Sequence, residues 1–286
     1  INFFFEKLMH ILTNKKNKTH IASILLLLFL ILINLVYFYL NLNSDVNSSG
    51  YAFKELFINY QAGLIRRGLL GEIFWILNNF FLIKPITFFC YLFLLLHLTQ
   101  IFLFFKIFKK YSSSYFIYYL VFLSPTLILF HIYDPNLYFI KDVFVKLTIL
   151  LHAYLIIVFF KERKNYDEYI FQLKFIVIPS LILVILIHEY QVLFLGVHFL
   201  LSLSLLKNNK NIFQIIKIYS ILLVPIIFIL IFIGDHEQFE NLNQILNKFN
   251  VEVHSQLGGG FYKAIGGFYK WHFFYFSYRD FLNLFS

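Results

Sequence analysis

Arg66 and Arg67 stand side by side in "QAGLIRRGLLGEIF", Gln61 to Phe74, with Gly68 and Gly71 after them and Glu72 close by. Guanidinium groups bind phosphate or diphosphate through paired hydrogen bonds, and glycine lets backbone or a ligand come close. A helix beginning near Gly68 would add its positive N-terminal end, so one reading of this stretch is an anion site. The other is that one arginine pairs with Glu72 or another acid while its neighbour reaches toward lipid headgroups. Farther on, "HIYDPNLYFIKDVFVK" supplies His131, Asp134, Lys141, Asp142 and Lys146 around a turn that Pro135 explains. Asp134 and Asp142 are candidates for a carboxylate base or for a diphosphate site assisted by a divalent cation, with Lys141 beside them. Lys146, one turn past Asp142, has the spacing of an i,i+4 ion pair. Glu189 is the single acid between Phe175 and Leu206, and His188 precedes it. Adjacent helical positions lie about 100° apart, so the two cannot both face lipid cheaply. Glu189 suits a general base or a ligand for a sugar hydroxyl, and His188 an assistant or a phosphate ligand. The same pair also reads as a helix break satisfied by neighbouring helices.

The elements that must position these groups are membrane helices. Hydrophobic residues make up 60% of the 286, aromatic residues 22% and charged residues 14%, which excludes an ordinary soluble domain. The net charge of +9 falls in short Lys and Arg clusters between apolar runs, the pattern of membrane-flanking loops rather than of a nucleic-acid partner. One cysteine, Cys90, sits in an apolar run and excludes a disulfide framework. At about 20 apolar residues per span, the sequence predicts helices at Ile21–Leu42, Ile86–Phe108, Tyr115–Tyr133, Leu137–Phe160 and Ile212–Gly234. Phe175–Leu206 would measure about 48 Å as one helix, so two short spans meeting at His188 and Glu189 are expected. That gives an all-α bundle of about seven spans, with six as the alternative. Seven put Lys15 to Lys18, Lys106 to Lys110, Lys161 to Lys164 and Lys207 to Lys210 on one face, with the N-terminus cytoplasmic.

The other face then receives residues 43–84, read as an outer loop with interfacial or re-entrant helices. It also receives the turn at Asp134, the His188–Glu189 junction and residues 235–286. In the last of these, "FENLNQILNKF" sets Phe239, Leu242, Ile245, Leu246 and Phe249 on one face of an interfacial helix, and "GGFYK" occurs at Gly259 to Lys263 and again at Gly266 to Lys270. Starting at Ile1 and ending on a new aromatic segment, the chain reads as one transmembrane domain lacking at least its C-terminal part. His97, His152 and His198 lie singly in spans and are expected to be satisfied core residues. No GxSxG elbow, P-loop, dinucleotide GxGxxG or heptad repeat is present, so no cofactor is implied.

The segment "GLIRRGLLGEIF", the later "IKD" at a helix start and "HEYQ" within the membrane resemble an arrangement in multi-span proteins of bacterial surface-polysaccharide assembly. The layout is similar to that of lipid-linked glycan enzymes, the GT-C glycosyltransferases and the Wzy-type O-antigen polymerases. GT-C enzymes usually carry an acidic pair soon after the first span, whereas here Asp45 stands alone with Glu55 ten residues on. The resemblance implies a bacterial inner-membrane protein that transfers or polymerises sugars from a polyprenyl-diphosphate donor on the extracytoplasmic side. In it, Glu189, Asp142 or Asp45 would deprotonate the acceptor hydroxyl, and Arg66 and Arg67 would hold the departing diphosphate. Membrane lipid and a lipid-linked sugar are the implied partners, with no nucleic acid; the sequence gives neither the sugar nor the oligomeric state. A transporter or flippase for a lipid-linked or anionic substrate, and a non-catalytic scaffold, are the alternatives.

Overall fold

A computed structural model describes residues 15–44, 51–65, 67–111, 138–162, 166–203, 209–232 and 236–251. The expected span Tyr115–Tyr133, Asp45, Arg66, Asp134 and the GGFYK repeat lie outside them. The fold is all-helical. The described helices are α1 (Lys15–Leu42), α2 (Tyr51–Lys54), α3 (Leu69–Phe81), α4 (Pro85–Tyr111), α5 (Asp142–Glu162), α6 (Tyr166–Gln172), α7 (Ile178–Ile187), α8 (Gln191–Leu203), α9 (Asn209–Tyr219), α10 (Leu223–Ile231) and α11 (His236–Leu246).

Among the described residues, five stretches are long and apolar enough to cross a membrane: Ile24–Leu42, Pro85–Ile107, Asp142–Phe159, Tyr166–Ile187 and Ile212–Ile231. The last two are rods assembled around a proline. Pro179 cannot donate to the carbonyl four residues back, and the wide π-turn Leu173–Val177 absorbs the mismatch between α6 and α7. A 3₁₀ turn, Ser220–Leu222, does the same ahead of Pro225 between α9 and α10. Phe175–Leu206 was expected to divide at His188 and Glu189, and it does. Its first half is nevertheless a full-length rod beginning at Tyr166, because "YDEYIFQLK" continues the helix beyond the apolar window. The second half, α8, has only 13 residues.

Burial runs opposite to that of a soluble protein. The exposed large side chains of α1 are Leu25, Leu28, Phe29, Leu32, Val36 and their neighbours. Asn34, His97, Gln100, Thr148, His152, Gln191, His198 and Ser202 are buried between helices. Apolar residues outward and polar residues inward is what lipid as solvent selects, and it makes the chain an integral, multi-pass membrane protein.

Among the described residues, two apolar cores divide the bundle. One surrounds the segment between α1 and α3: Phe53, Phe57, Phe74, Phe89, Phe93 and Phe139 stack at ring separations of 4.8 to 5.8 Å. The other joins α6 and α7 to α9 and α10 through Tyr169, Leu181, Ile185, Ile215 and Leu222. The apolar face of α11, expected to lie in the membrane interface, instead buries Phe239, Leu242 and Leu246 in the first core. Aromatic neighbours from residues 53–75 cover it more completely than headgroups would: Phe249 rests on Phe57, Phe74 and Trp75.

Candidate functional site

The segment that carries Arg67 is folded tightly on itself. A side chain at Gly71 would collide with the carbonyls of Ile58 and Leu56, and one at Gly68 with the ring of Tyr60. Both glycines therefore serve backbone packing. Glu72 fastens the same turn, accepting from the Tyr60 N–H at 3.0 Å and from Gln61 Nε2 at 2.8 Å. Burial, with the Glu72 charge beside it, pushes the Tyr60 phenol up to about 12. Arg67 itself sits at φ 65°, a left-handed conformation that costs a non-glycine residue about 1 kcal/mol or more.

That conformation delivers the guanidinium into the protein. Nε and Nη2 donate to the two oxygens of Glu189, and Nη1 donates to Glu55. The fork of a guanidinium matches this two-carboxylate arrangement, which an ammonium would not fill. Burial by itself would lower the Arg67 pKa, but the two carboxylates outweigh it and hold the group above its ordinary value. Tyr190 adds its ring face 5.9 Å from the guanidinium carbon. Lys141, only 2% exposed, donates from Nζ to the Glu55 backbone carbonyl at 3.1 Å. Burial pulls it down to about 8 against the attraction of Glu55. Two cations and two carboxylates, drawn from three separate stretches of chain, thus form one balanced group.

The break in the rod makes this possible. His188 leaves α7 with extended backbone (φ −151°, ψ 103°), and α8 restarts at Gln191 with its first amides bonded to the carbonyls of His188 and Glu189. One extended residue turns the adjacent side chains apart, Glu189 toward Arg67 and His188 toward the start of α5. There His188 Nε2 donates to Asp142 Oδ1 at 2.7 Å. The Asp142 side chain is 41% exposed, against 6% for His188. Asp142 opens the first turn of α5, where a helix terminus favours negative charge, and Lys146 one turn on adds attraction.

Arg67, Lys141, Asp142, His188 and Glu189, singled out in the sequence, therefore meet at one end of the bundle. Phe53 and Phe139, close in sequence to Glu55 and Lys141, pack on Phe89 and Phe93 in the first three turns of α4. Sequence reasoning missed Glu55. Its signal was a lone acid in "AFKELFI", whose other residues from Ala52 to Ile58 are buried apart from Lys54. A polar groove of about 470 Å³ opens next to it, lined by Lys54, Glu240, Asn243, Gln244, Asn247, Asn250 and Val251. Among the described residues no three His, Cys, Asp or Glu side chains are placed to hold a metal ion.

Farther from this end, two of the single histidines turn out to be partners. His152 Nδ1 and His198 Nδ1 are 3.1 Å apart, with the ring planes 5° from parallel. His152 Nε2 lies 3.2 Å from the Tyr169 hydroxyl, which donates to Ser202 at 2.8 Å, and Tyr219 is 2.9 Å from Ser202. The available signal was spacing: Gln191, His198 and Ser202 recur at seven and four residues, one face of a helix.

The chain matches no family model, and no curated protein and no solved structure matches it.

Proposed function

We propose that this protein transfers or polymerises sugars from a polyprenyl-diphosphate donor at the extracytoplasmic face of a bacterial inner membrane, in the manner of the Wzy-type and GT-C enzymes it resembles. The observation that carries the reading is the half-exposed carboxylate of Asp142, held by His188 at 2.7 Å beside a sealed and charge-balanced ionic group. In this reading Asp142 is the general base. It takes the proton of the acceptor hydroxyl as that oxygen attacks the anomeric carbon and the bond to the diphosphate breaks, with inversion. Glu189 gives both oxygens to Arg67, whose three nitrogens all donate to carboxylates, so these two shape the site, and the diphosphate falls to Arg66. The amide-lined groove beyond Glu55 has the volume and hydrogen-bonding groups for a saccharide.

The test is sugar transfer from a synthetic polyprenyl-diphosphate donor by protein in lipid nanodiscs. Asp142→Asn, which keeps the shape of the side chain, lowers the rate by about 10² to 10⁴ if Asp142 is the base. An unchanged rate in that variant, or no transfer by the wild type, would overturn the reading. Transport is the second reading, and one observation favours it: the polar residues buried between α5 and α8 continue inward from the site, as transport paths do.

A further inference from the structure

The seam between α5 and α8 is lined by polar side chains at helical spacing. Below Asp142 and Glu189 comes Thr148 with Gln191, then His152 with His198, then Tyr169 with Ser202. From Gln191 to Ser202 the stripe covers eleven residues, about 16 Å of helix rise and half of a hydrocarbon core. Thr148, His152, Gln191, His198 and Ser202 are all buried.

The position of each proton in the deeper group follows from donors and acceptors alone. Ser202 donates to the His198 backbone carbonyl at 3.1 Å, so its oxygen accepts from the hydroxyls of Tyr169 and Tyr219. Having spent its proton there, Tyr169 accepts from His152 Nε2–H. His152 Nδ1 is then a bare lone pair and accepts from His198 Nδ1–H. His198 Nε2 is left as a buried acceptor with no protein partner. Two turns above it, one end of the Gln191 amide meets Thr148 at 3.1 Å and the other end is buried without a partner. Buried polar atoms of this kind are the ones internal water serves, and seven residues of helix, about 10 Å, leave a gap that more than one water would have to span. The titratable groups against the imidazole pair are Tyr169 and Tyr219, with Tyr166 packed on the Tyr169 ring.

We propose that this stripe is a proton path through the membrane, joining the Asp142–Glu189 end of the bundle to the opposite end by way of internal water and the His198–His152 pair. A proton bonded at His198 Nε2 makes that ring cationic. The His198 Nδ1–H bond breaks as the proton joins His152 Nδ1, and His152 releases its Nε2 proton to the Tyr169 oxygen. Tyr169 passes its own hydroxyl proton to the Ser202 oxygen as Ser202 turns its proton from the His198 carbonyl to the Tyr219 oxygen, and the half-buried Tyr219 hydroxyl releases its proton to solvent at that end, where Asp167 and Glu168 are exposed. Each transfer forms one N–H or O–H bond as it breaks the last, so one proton moves and nothing is oxidised. Structural glue alone explains the paired atoms, but not two unpaired ones seven residues apart on one helix face.

Purified protein in liposomes holding a trapped pH dye, driven by a potassium gradient with valinomycin, tests this without any sugar donor, so its outcome is independent of the reading above. Expected is proton entry above that of protein-free liposomes, falling to the protein-free rate in His198→Leu. Gln191→Leu, which leaves the imidazole pair intact, loses flux as well. Wild-type entry at the protein-free rate, or full flux in either variant, would overturn the path. Should His198→Leu fail to fold, Gln191→Leu and Tyr169→Phe decide it.

Discussion

Two polar regions share the helices α5 and α8 and solve the same problem in different currencies. Near one end, Arg67 and Lys141 are full charges balanced by Glu55 and Glu189, with all three guanidinium nitrogens and the Lys141 ammonium hydrogen-bonded. Farther along, His152, His198, Tyr169, Ser202 and Tyr219 are held in a chain of neutral hydrogen bonds. The difference follows depth. An unpaired charge at the bilayer centre costs about 2.5 to 3.5 kcal/mol on insertion scales, whereas a hydrogen bond between membrane helices contributes about 0.6. The charged group therefore resists rearrangement, and the neutral one has an open end.

Breaking the charged group should have the largest effect. Arg67→Leu strands two buried carboxylates, and we expect a loss of about 3 to 5 kcal/mol, read as a collapse of the detergent melting temperature. The double variant Arg67→Leu with Glu189→Leu should recover part of it, and no recovery would deny the pairing. Gly71→Ala comes next, at about 1 to 3 kcal/mol, because the added methyl displaces the Ile58 backbone that positions Arg67. Lys141 sharpens the contrast through pH. Its folded pKa of about 8 lies below the ordinary 10.5, so between those values the unfolded chain holds a proton that the fold has released. Stability then rises with pH, by at most about 1.4 kcal/mol per unit, and Lys141→Met should flatten the rise in melting temperature over that window. The neutral group should yield least: Tyr169→Phe costs about 0.6 kcal/mol. A cost near that of Arg67→Leu would erase the distinction.

How much of this was legible depends on the length scale of each signal. The break at His188 was readable because one acid interrupts a long apolar run. The start of that rod at Tyr166 was not, because a hydropathy window discounts the polar first turns of a helix whose buried face is carried by Tyr169, Ile170 and Leu173. Arg67, Lys141, Asp142, His188 and Glu189 were recognisable by type. Their pairing was not: Glu189 lies 122 residues from Arg67, and nothing local distinguishes it from the nearer Glu72. His152 and His198 read singly as satisfied core residues, since a lone histidine has no visible partner until two helices are set side by side. Asp45, Arg66 and Asp134 fall outside the described residues.

The separation of Arg67 from Glu189 also sets an order of events during synthesis. At about 5 to 20 residues per second, the ribosome delivers Glu189 roughly 6 to 24 seconds after Arg67. Through that interval the arginine has Glu55 as its acid within the same short stretch, and the early helices must wait with the charge half answered. Closure of the bundle is therefore gated by arrival of the broken rod, so a chain truncated before His188 should be recognised and degraded as unassembled.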